Sequence, residues 1–222
     1  MTYLLHLETA TKVCSVGLSL NGELVKLAES NDDQYAHGEK LTLYIEKVLK
    51  DAGISPGHLA GVSVASGPGS YTGLRIGVAT AKGLCFALGI PLIAIDALTS
   101  LAEIARSKYP NRTLCSLIDA RRMEVYSQLI NEQGEIVKPI SADIITEDSY
   151  KEFDSFVYFG DGAEKLTEIW GKRDVSADLS IRSSAIGQVQ LAFKKFNEQA
   201  FEDVAYFEPF YLKDFVGGKK KA

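Results

Sequence analysis

The pattern of apolar and polar positions predicts strands and amphipathic helices in the first half of the chain. Residues 3–7 form a short apolar run, and residues 14–20 alternate before Asn21-Gly22, a dipeptide typical of a tight hairpin turn. Apolar side chains recur at helical spacing in residues 36–52, and Gly53 marks the end of that helix. The same half is predicted to contain strands at 61–65 and 91–95 and helices at 72–88 and 97–108.

The second half of the chain repeats this order. Residues 113–118 predict a strand that ends in Asp119, as the first strand ends in Glu8, and an alternating run at 124–130 predicts a second hairpin. An internal duplication of this kind fixes the architecture before the function is known. The later elements are predicted as a strand at 156–159, helices at 163–170 and 184–197, and an aromatic segment at 206–215.

Two such halves are the plan of the actin-like ATPase (ASKHA, ribonuclease H-like) fold, an α/β fold of two duplicated lobes of mixed sheet with flanking helices. We predict a first lobe at 1–105 and a second lobe at 106–222, with the last residues, about 206–222, packing back on the first lobe. In this fold the first hairpin turn of each half faces the phosphates of a nucleotide across a cleft. The candidate anion site therefore consists of Glu8, Thr9, Thr11, Asp119 and Arg121.

The two acidic turns support two interpretations. Carboxylates at strand ends are suitable ligands for Mg²⁺ beside a phosphate, and they also stabilise turns through local hydrogen bonds. Glu8 is one methylene longer than the aspartate typical of this position in actin-like ATPases. This difference favours the turn interpretation and weakens the case for catalysis.

Composition indicates a globular protein without a dominant nucleic-acid-binding surface. The chain has 222 residues, of which 46% are hydrophobic and 24% charged, and its formal net charge is −5, whereas nucleic-acid-binding domains usually carry a basic stripe. The only basic cluster, Lys219 to Lys221, is predicted to be a solvated tail. Three widely spaced cysteines, no signal peptide and no apolar run of membrane length favour a cytoplasmic protein.

A glycine-rich segment, Gly67 to Gly77, lies between a predicted strand and a predicted helix. Glycine serves where backbone must approach another group closely, but the spacing here fits neither the Rossmann fingerprint nor the Walker A phosphate loop. Gly73, Gly77 and Ala81 then form a stripe of small residues four apart. The stripe suits packing on the protein's own sheet or against a partner's helix, and the sequence leaves both open.

Histidine spacing predicts no metal site. His6, His37 and His58 are the only histidines, and none has a second histidine one helical turn away. His6 lies in an apolar strand, where a hydrogen-bonded core histidine is expected. His37 begins a helix, where a surface position is expected.

Five stretches of the chain carry a family resemblance. The longest is S-G-P-G-S-Y-T-G-L-R-I-G-V-A-T-A-K-G-L at Ser66 to Leu84. The others are L-E-T-A-T at Leu7 to Thr11, H-G-E-K-L at His37 to Leu41, D-A-R-R-M-E-V-Y at Asp119 to Tyr126, and Y-L-K at Tyr211 to Lys213. Together they resemble the TsaB (YeaZ) family, bacterial partner proteins of threonylcarbamoyladenosine biosynthesis. The resemblance covers the whole chain and is densest in the first half.

The resemblance implies a subunit that is not itself the catalyst. The related catalytic subunit, TsaD, carries a metal-binding H-x-x-x-H motif, and here Leu41 stands at the second ligand position after His37. Family members bind TsaD, the ATPase TsaE joins the pair, and the assembly transfers a threonylcarbamoyl group to N6 of adenosine 37 in ANN-decoding tRNAs. Contact with tRNA is thus expected only through the complex, and a homodimer is expected when TsaD is absent. No cofactor is expected, and weak Mg-ATP binding stays open.

The same resemblance places the partner interface on the helices at 36–52 and 72–88. Its predicted residues are His37, Leu41, Ile45, Tyr71, Thr72, Gly73, Arg75, Ile76, Gly77, Thr80 and Leu84. Two other function classes stay open. One is an actin-fold ATPase or phosphotransferase that uses Glu8 and Asp119, and the other is an M22-type metalloprotease.

Overall fold

The computed structural model describes residues 1–31, 37–153 and 155–213 of the chain. The strands of its first half are β1 (Tyr3–Glu8), β2 (Val13–Leu20), β3 (Glu23–Asn31), β4 (Leu59–Gly67) and β5 (Leu92–Asp96). They form one sheet with the order β3-β2-β1-β4-β5. The first three strands are antiparallel neighbours, whereas β1, β4 and β5 run parallel. The hairpin between β2 and β3 turns at Asn21 and Gly22, both with positive φ, as the dipeptide predicts.

Three helices flank this sheet: α1 (His37–Asp51), α2 (Tyr71–Leu88) and α3 (Ala97–Lys108). α1 packs on the β2–β3 hairpin, and α2 packs on β4. α2 begins at Ser70, whose Oγ accepts a hydrogen bond from the Gly73 N–H at 3.2 Å, and ends at Gly89 in the left-handed conformation. The helix that the sequence predicts from residue 36 is observed from His37, because residue 36 lies outside the described residues.

The second half of the chain builds a sheet of the same design. Its strands are β6 (Leu114–Asp119), β7 (Glu124–Ile130), β8 (Ile136–Ile144), β9 (Val157–Phe159) and β10 (Ser176–Asp178). The order β10-β9-β6-β7-β8 is the order of the first sheet read from the opposite edge. Here too the hairpin strands are antiparallel and the remaining pairs are parallel. The shared strand order of the two sheets confirms the predicted duplication.

The later helices differ in part from the prediction. The helix expected at 163–170 is a 3₁₀ turn at Glu164–Leu166 followed by α4 (Thr167–Trp170). The helix expected at 184–197 begins as a 3₁₀ turn at Ala185–Gln188 and continues as α5 (Val189–Asn197). β8 is the second strand of the predicted hairpin, and β10 lies where the sequence predicts no strand.

The chain returns to the first sheet before its end. α5 packs on β1 and β5, so this return begins earlier than the predicted 206. Phe207 packs against the apolar core between the first sheet, α1 and α2, and the Phe210 N–H donates to the Ser66 carbonyl at 2.7 Å. The lobe boundaries at 105 and 106 stay a prediction. Residues 214–222, with Lys219 to Lys221, lie outside the described residues.

All three cysteines are free and buried: Cys14, Cys85 and Cys115. In the ranges that the structure covers, no helix is both long and apolar enough to cross a membrane.

Candidate functional site

The glycine-rich segment packs on the protein's own β1–β2 turn. The Ser70 N–H donates to the Ala10 carbonyl at 2.6 Å. A Cβ on Gly73 would overlap the carbonyl oxygen of Thr9, and a Cβ on Gly77 would overlap the Thr9 hydroxyl. These glycines therefore let α2 approach the turn backbone closely. The prediction that Gly73 and Gly77 receive a partner's helix is wrong, because Thr9 fills that face.

Glu8, at the end of β1, is sealed inside the protein. Its side chain is 1% exposed. Oε1 accepts a hydrogen bond from the Ala10 N–H at 2.8 Å, and Oε2 accepts one from Gln188 Nε2 at 3.3 Å. Burial raises the pKa of Glu8 to about 7, and the negative charge of Asp96 acts in the same direction. The carboxyl group is thus a buried turn element with two partners from its own chain.

A polar network below Glu8 joins the two halves of the chain. His6 Nδ1 lies 2.7 Å from Ser63 Oγ, and its Nε2 lies 2.8 Å from Ser19 Oγ. The Ser63 hydroxyl donates to Gln188 Oε1 at 2.7 Å, and Gln188 Nε2 donates to the Leu7 carbonyl at 2.8 Å. Burial lowers the pKa of His6 to about 3. His6 is therefore a hydrogen-bonded core histidine, as predicted.

The corresponding turn of the second half is open to solvent. Asp119 is exposed, and its Oδ1 accepts hydrogen bonds from Lys165 Nζ at 2.5 Å and from the Arg121 N–H at 2.8 Å. The Asp119 N–H donates to Asp161 Oδ1 at 3.0 Å. Arg121 and Arg122 are consecutive residues with φ of 70° and 53°. Two consecutive residues with side chains are uncommon in this left-handed region of backbone conformation.

The predicted anion site is therefore not one open pocket. Glu8, Thr9 and Thr11 are all at most 4% exposed, so a ligand outside the protein has no access to them in this conformation. Asp119 and Arg121 are exposed, and the carboxylate of Asp119 is already paired with Lys165. In this conformation Glu8 binds Ala10 and Gln188, and Asp119 binds Lys165. The placement of these two residues in one anion site stays a prediction.

The surroundings of His37 do not fit a divalent metal. The ring is buried, and its Nε2 donates to the Thr11 carbonyl at 2.8 Å. Burial lowers the pKa of His37. Leu41, which stands at the second ligand position, belongs to the apolar core. Among the described residues no group of three histidine, cysteine, aspartate or glutamate side chains is placed to hold a metal ion.

The predicted interface residues divide by exposure. Four of them are buried within the chain and cannot meet a partner in this conformation: His37, Leu41, Gly73 and Gly77. Ile45 is 8% exposed and lines a groove between α1 and α2. The assignment of these four residues to the interface is wrong, because they face their own sheet or the β1–β2 turn. The assignment of Ile45 stays a prediction. The others are exposed or half-buried: Tyr71, Thr72, Arg75, Ile76, Thr80 and Leu84.

The solvent side of α2 presents a surface of which the sequence reasoning found only Thr72 and Arg75. Its exposed positions follow helical spacing: Thr72, Arg75, Ala79, Gly83, Phe86 and Ala87. Phe86 is 85% exposed, and a Cβ on Gly83 would meet nothing within 4 Å. We call these six residues the outer face of α2. The signal was available, because this face lies opposite the stripe of Gly73, Gly77 and Ala81 on a helical projection.

An apolar groove adjoins the outer face between α1 and α2. Its volume is about 600 Å³. Leu43 from α1 is 60% exposed at this groove, and Thr80 and Leu84 line it from α2. Exposed apolar side chains in a contiguous patch usually mark an interaction surface.

The two sheets of equal strand order with flanking helices define the class: an actin-like ATPase-fold protein. YeaZ from Pseudomonas aeruginosa matches with a TM-score of 0.82 at 26% identity, over 96% of this chain and 100% of that chain. The activator of the 2-hydroxyisocaproyl-CoA dehydratase from Clostridium difficile, solved with bound ADPNP, matches with a TM-score of 0.53 at 10% identity, over 91% of this chain and 99% of that one. The second likeness concerns the fold alone.

Sequence comparison identifies the family. The model of the family described as TsaD: tRNA N6-adenosine threonylcarbamoyltransferase matches residues 31–216. The tRNA threonylcarbamoyladenosine biosynthesis protein TsaB of Haemophilus influenzae is 28% identical over 229 residues, 98% of this chain and 96% of that protein. TsaB of Escherichia coli is 26% identical over 230 residues, 98% of this chain and 97% of that protein. The chain belongs to this family, among the TsaB (YeaZ) proteins of tRNA threonylcarbamoyladenosine biosynthesis.

Proposed function

We propose that this chain is a non-catalytic subunit of the complex that makes N6-threonylcarbamoyladenosine at position 37 of ANN-decoding tRNAs. In this proposal it binds TsaD and helps to recruit TsaE in the cytoplasm, and it needs no cofactor of its own. When TsaD is absent, a second copy of the chain occupies the same surface. The observation that carries the proposal is the outer face of α2 with its exposed Phe86.

The state of the acidic groups supports a non-catalytic role. Glu8 is buried and bonded to Ala10 and Gln188, and Asp119 is paired with Lys165. A catalytic carboxylate must reach its substrate within hydrogen-bond distance. In this conformation Glu8 has no such access. Among the described residues, the surroundings of His37 also lack the donor set that a metal-dependent transferase would need.

The outer face of α2 is suited to receive a helix. Ala79, Gly83 and Ala87 recur every four residues and carry little or no side chain. Such a row forms a shallow groove between ridges, into which a partner's helix packs at short interaxial distance. Phe86 and Leu43 flank the row with large apolar side chains of the kind that anchors interfaces. We infer that TsaD contributes a helix to this surface.

The test replaces Gly83 with arginine and measures association with TsaD. Gly83 is exposed and a Cβ there meets no neighbour, so Gly83→Arg should fold normally while its long side chain blocks a packed helix. The control is Ala177→Arg, an exposed alanine on β10 of the other sheet. We expect light scattering to detect the complex for wild type and control, and Gly83→Arg to bind at least about 10-fold more weakly. Unchanged affinity of a folded Gly83→Arg variant would contradict the proposed interface.

A further inference from the structure

A group of cationic and aromatic side chains extends from the first turn of α2 to the turn between β6 and β7. Its members are exposed or half-buried: Tyr71, Arg75, Arg121, Arg122, Tyr126, Tyr211 and Lys213. We call these seven residues the cationic strip. The chain as a whole is acidic, with a net charge of −5. A local concentration of positive charge with interleaved aromatic rings is therefore a distinct feature of this surface.

At the α2 end, the strip is built from stacked groups. The Arg75 guanidinium lies 4.1 Å from the centre of the Tyr71 ring. Arg75 Nε donates to the Tyr211 hydroxyl at 3.2 Å, and the Tyr71 and Tyr211 rings are 4.8 Å apart. These contacts fix the C-terminal segment on α2 and leave part of each ring at the surface. The hydrogen bond with Tyr211 is the main cause that raises the pKa of Arg75, and the negative charge of Glu208 acts in the same direction.

In the middle of the strip, Tyr126 lies near two cations. Tyr126 and Tyr211 pack against the same buried apolar cluster. Burial is the main cause that raises the pKa of Tyr126, and the positive charges of Lys213 and Arg121 oppose it. Glu124 lies beside the arginines, because its N–H donates to the Arg121 carbonyl at 3.2 Å. Lys213 also forms an ion pair with Glu124.

At the far end, the turn between β6 and β7 holds two arginines in a costly conformation. Arg121 and Arg122 have φ of 70° and 53°, in the left-handed region that residues with a side chain seldom adopt. Lys165 Nζ fixes the turn, because it donates to Asp119 Oδ1 at 2.5 Å, to the Arg122 carbonyl at 2.9 Å and to the Glu124 carbonyl at 2.6 Å. The fold therefore presents two arginines where glycine would be less strained.

The carboxylates near Arg121 and Arg122 are paired with lysines and not with these arginines. Asp119 is paired with Lys165, and Glu124 is paired with Lys213. Asp161 accepts the Asp119 N–H. Within the part of the chain that the structure describes, neither Arg121 nor Arg122 has a hydrogen bond or an ion pair from its guanidinium group. Both groups are free to bind anions from solution.

We propose that the cationic strip binds an unpaired stretch of tRNA, with phosphates on Arg121 and Arg122 and bases stacked on the accessible parts of the tyrosine rings. The choice of tRNA rests on the proposed function. Single-stranded nucleic acid is bound where a positive surface follows the backbone and aromatic rings stack on successive bases. Unpaired loops of RNA offer both groups that this surface would bind, because their phosphates are charged and their bases are exposed for stacking. This proposal replaces the expectation that tRNA is met only through the other subunits.

The test compares two charge-reversed variants in binding to a fluorescein-labelled anticodon stem-loop RNA. One is R121E/R122E. The control is K172E/K194E, which changes the net charge equally at exposed positions outside the strip. Each protein is measured alone and together with TsaD, over a range of salt concentrations. We expect R121E/R122E to bind RNA at least about 10-fold more weakly, with the salt slope reduced by about 0.7 for each lost phosphate contact, and the control to stay near wild type.

Separate readouts distinguish the outcomes. The mass of the complex with TsaD should be the same for both variants. If the wild-type chain forms no complex with TsaD, that result counts against the proposed function and not against RNA binding by the cationic strip. Equal RNA affinity of R121E/R122E and the control overturns the proposal, and so does the absence of RNA binding by wild type in both preparations. Weaker TsaD binding with unchanged RNA affinity would assign the strip to a protein interface instead. Displacement of RNA by Mg-ATP would assign it to nucleotide phosphates, and this also overturns it.

Discussion

At the scale of single residues, the packing of Thr9 determines what the glycine-rich segment does. The carbonyl and hydroxyl of Thr9 occupy the space beside Gly73 and Gly77 that side chains would otherwise fill. Interiors are packed too tightly to absorb an added methyl group without displacement. The segment is thus a structural joint between α2 and the β1–β2 turn.

The joint predicts opposite effects for one substitution at two glycines of α2. In Gly73→Ala the new methyl group meets the Thr9 carbonyl, and we expect a loss of about 1–3 kcal/mol in the free energy of unfolding. In Gly83→Ala the methyl group meets no neighbour, and the better helix propensity should add about 0.5–1 kcal/mol. Urea unfolding of both variants checks this pair. A Gly73→Ala protein as stable as wild type would show that the joint is loose.

Glu8 predicts a pH dependence of stability. Its pKa in the folded protein is about 7, above the ordinary value of 4.5. A raised carboxyl pKa contributes stability that is fully present below pH 4.5 and is lost as the pH rises toward 7. Glutamine at this position does not titrate. The stability of Glu8→Gln relative to wild type should therefore rise by up to about 3 kcal/mol across this interval.

The measurement is urea unfolding at a series of pH values, read as the difference between variant and wild type. Taking the difference removes the contributions of groups such as His6, which both proteins share. Glu198→Gln makes the same chemical change at an exposed position and serves as the control. A difference for Glu8→Gln that does not change with pH would contradict the assigned environment of Glu8.

The sequence predicts some of these residue environments and not others. The density of glycines indicates close backbone approach, but the approached group, Thr9, lies more than sixty residues away along the chain. The burial of Glu8 depends on Gln188, which arrives from the other end of the sequence. Contacts of this range follow from the assembled fold, and a local pattern does not contain them.

At the scale of elements, α2 is a helix with two small-residue stripes. Gly73, Gly77 and Ala81 pack inward, and Ala79, Gly83 and Ala87 face solvent. The start and end of the helix follow from Ser70 and Gly89, whose capping chemistry is local. Which stripe is buried is decided by the sheet, and the sequence alone leaves this open. The helix thus separates an inner structural face from the outer face proposed for TsaD.

The C-terminal segment is a second element whose role is testable. Lys82 Nζ donates to the Ala205 and Phe207 carbonyls, both at 3.0 Å, and Tyr211 stacks on Tyr71. We expect Tyr211→Ala to lower the free energy of unfolding by about 1 kcal/mol, because the ring pair and the Arg75 hydrogen bond are lost. Limited proteolysis should then cut the segment faster.

Tyr206→Ala is the matched control for this prediction. The Tyr206 ring is 84% exposed, and exposed substitutions usually change stability by less than about 0.5 kcal/mol. Equal stability and equal cleavage rates for Tyr211→Ala and Tyr206→Ala would mean that the stacked rings do not hold the segment on α2.

At the scale of the whole molecule, the duplication is the property that the sequence predicts best. Alternating runs and acidic turns recur in both halves, and the two sheets have the same strand order. β10 was missed because its sequence, Ser-Ala-Asp, contains no apolar run, whereas the equally short β9 is the apolar run Val-Tyr-Phe. The packing of α5 on the first sheet was also missed, since amphipathicity does not specify which sheet a helix covers.

The proposed function assigns this duplicated fold to partner binding instead of catalysis. Both acidic turns have partners within the chain, and the accessible chemistry lies on the outer face of α2 and the cationic strip. The two surfaces share only Arg75, and neither test changes it: Gly83→Arg obstructs the row of small residues on α2, and R121E/R122E reverses charge at the turn between β6 and β7. Failure of one therefore leaves the other measurable.

Threonylcarbamoyl transfer in a reconstituted mixture tests the central claim most directly. The purified chain, TsaD and TsaE are combined with tRNA, ATP and the threonylcarbamoyl donor, and each protein is omitted in turn. The account predicts modified tRNA only when the chain is present with both partners, and none from the chain alone. Transfer by the chain alone, or full transfer by TsaD and TsaE without it, would contradict the account.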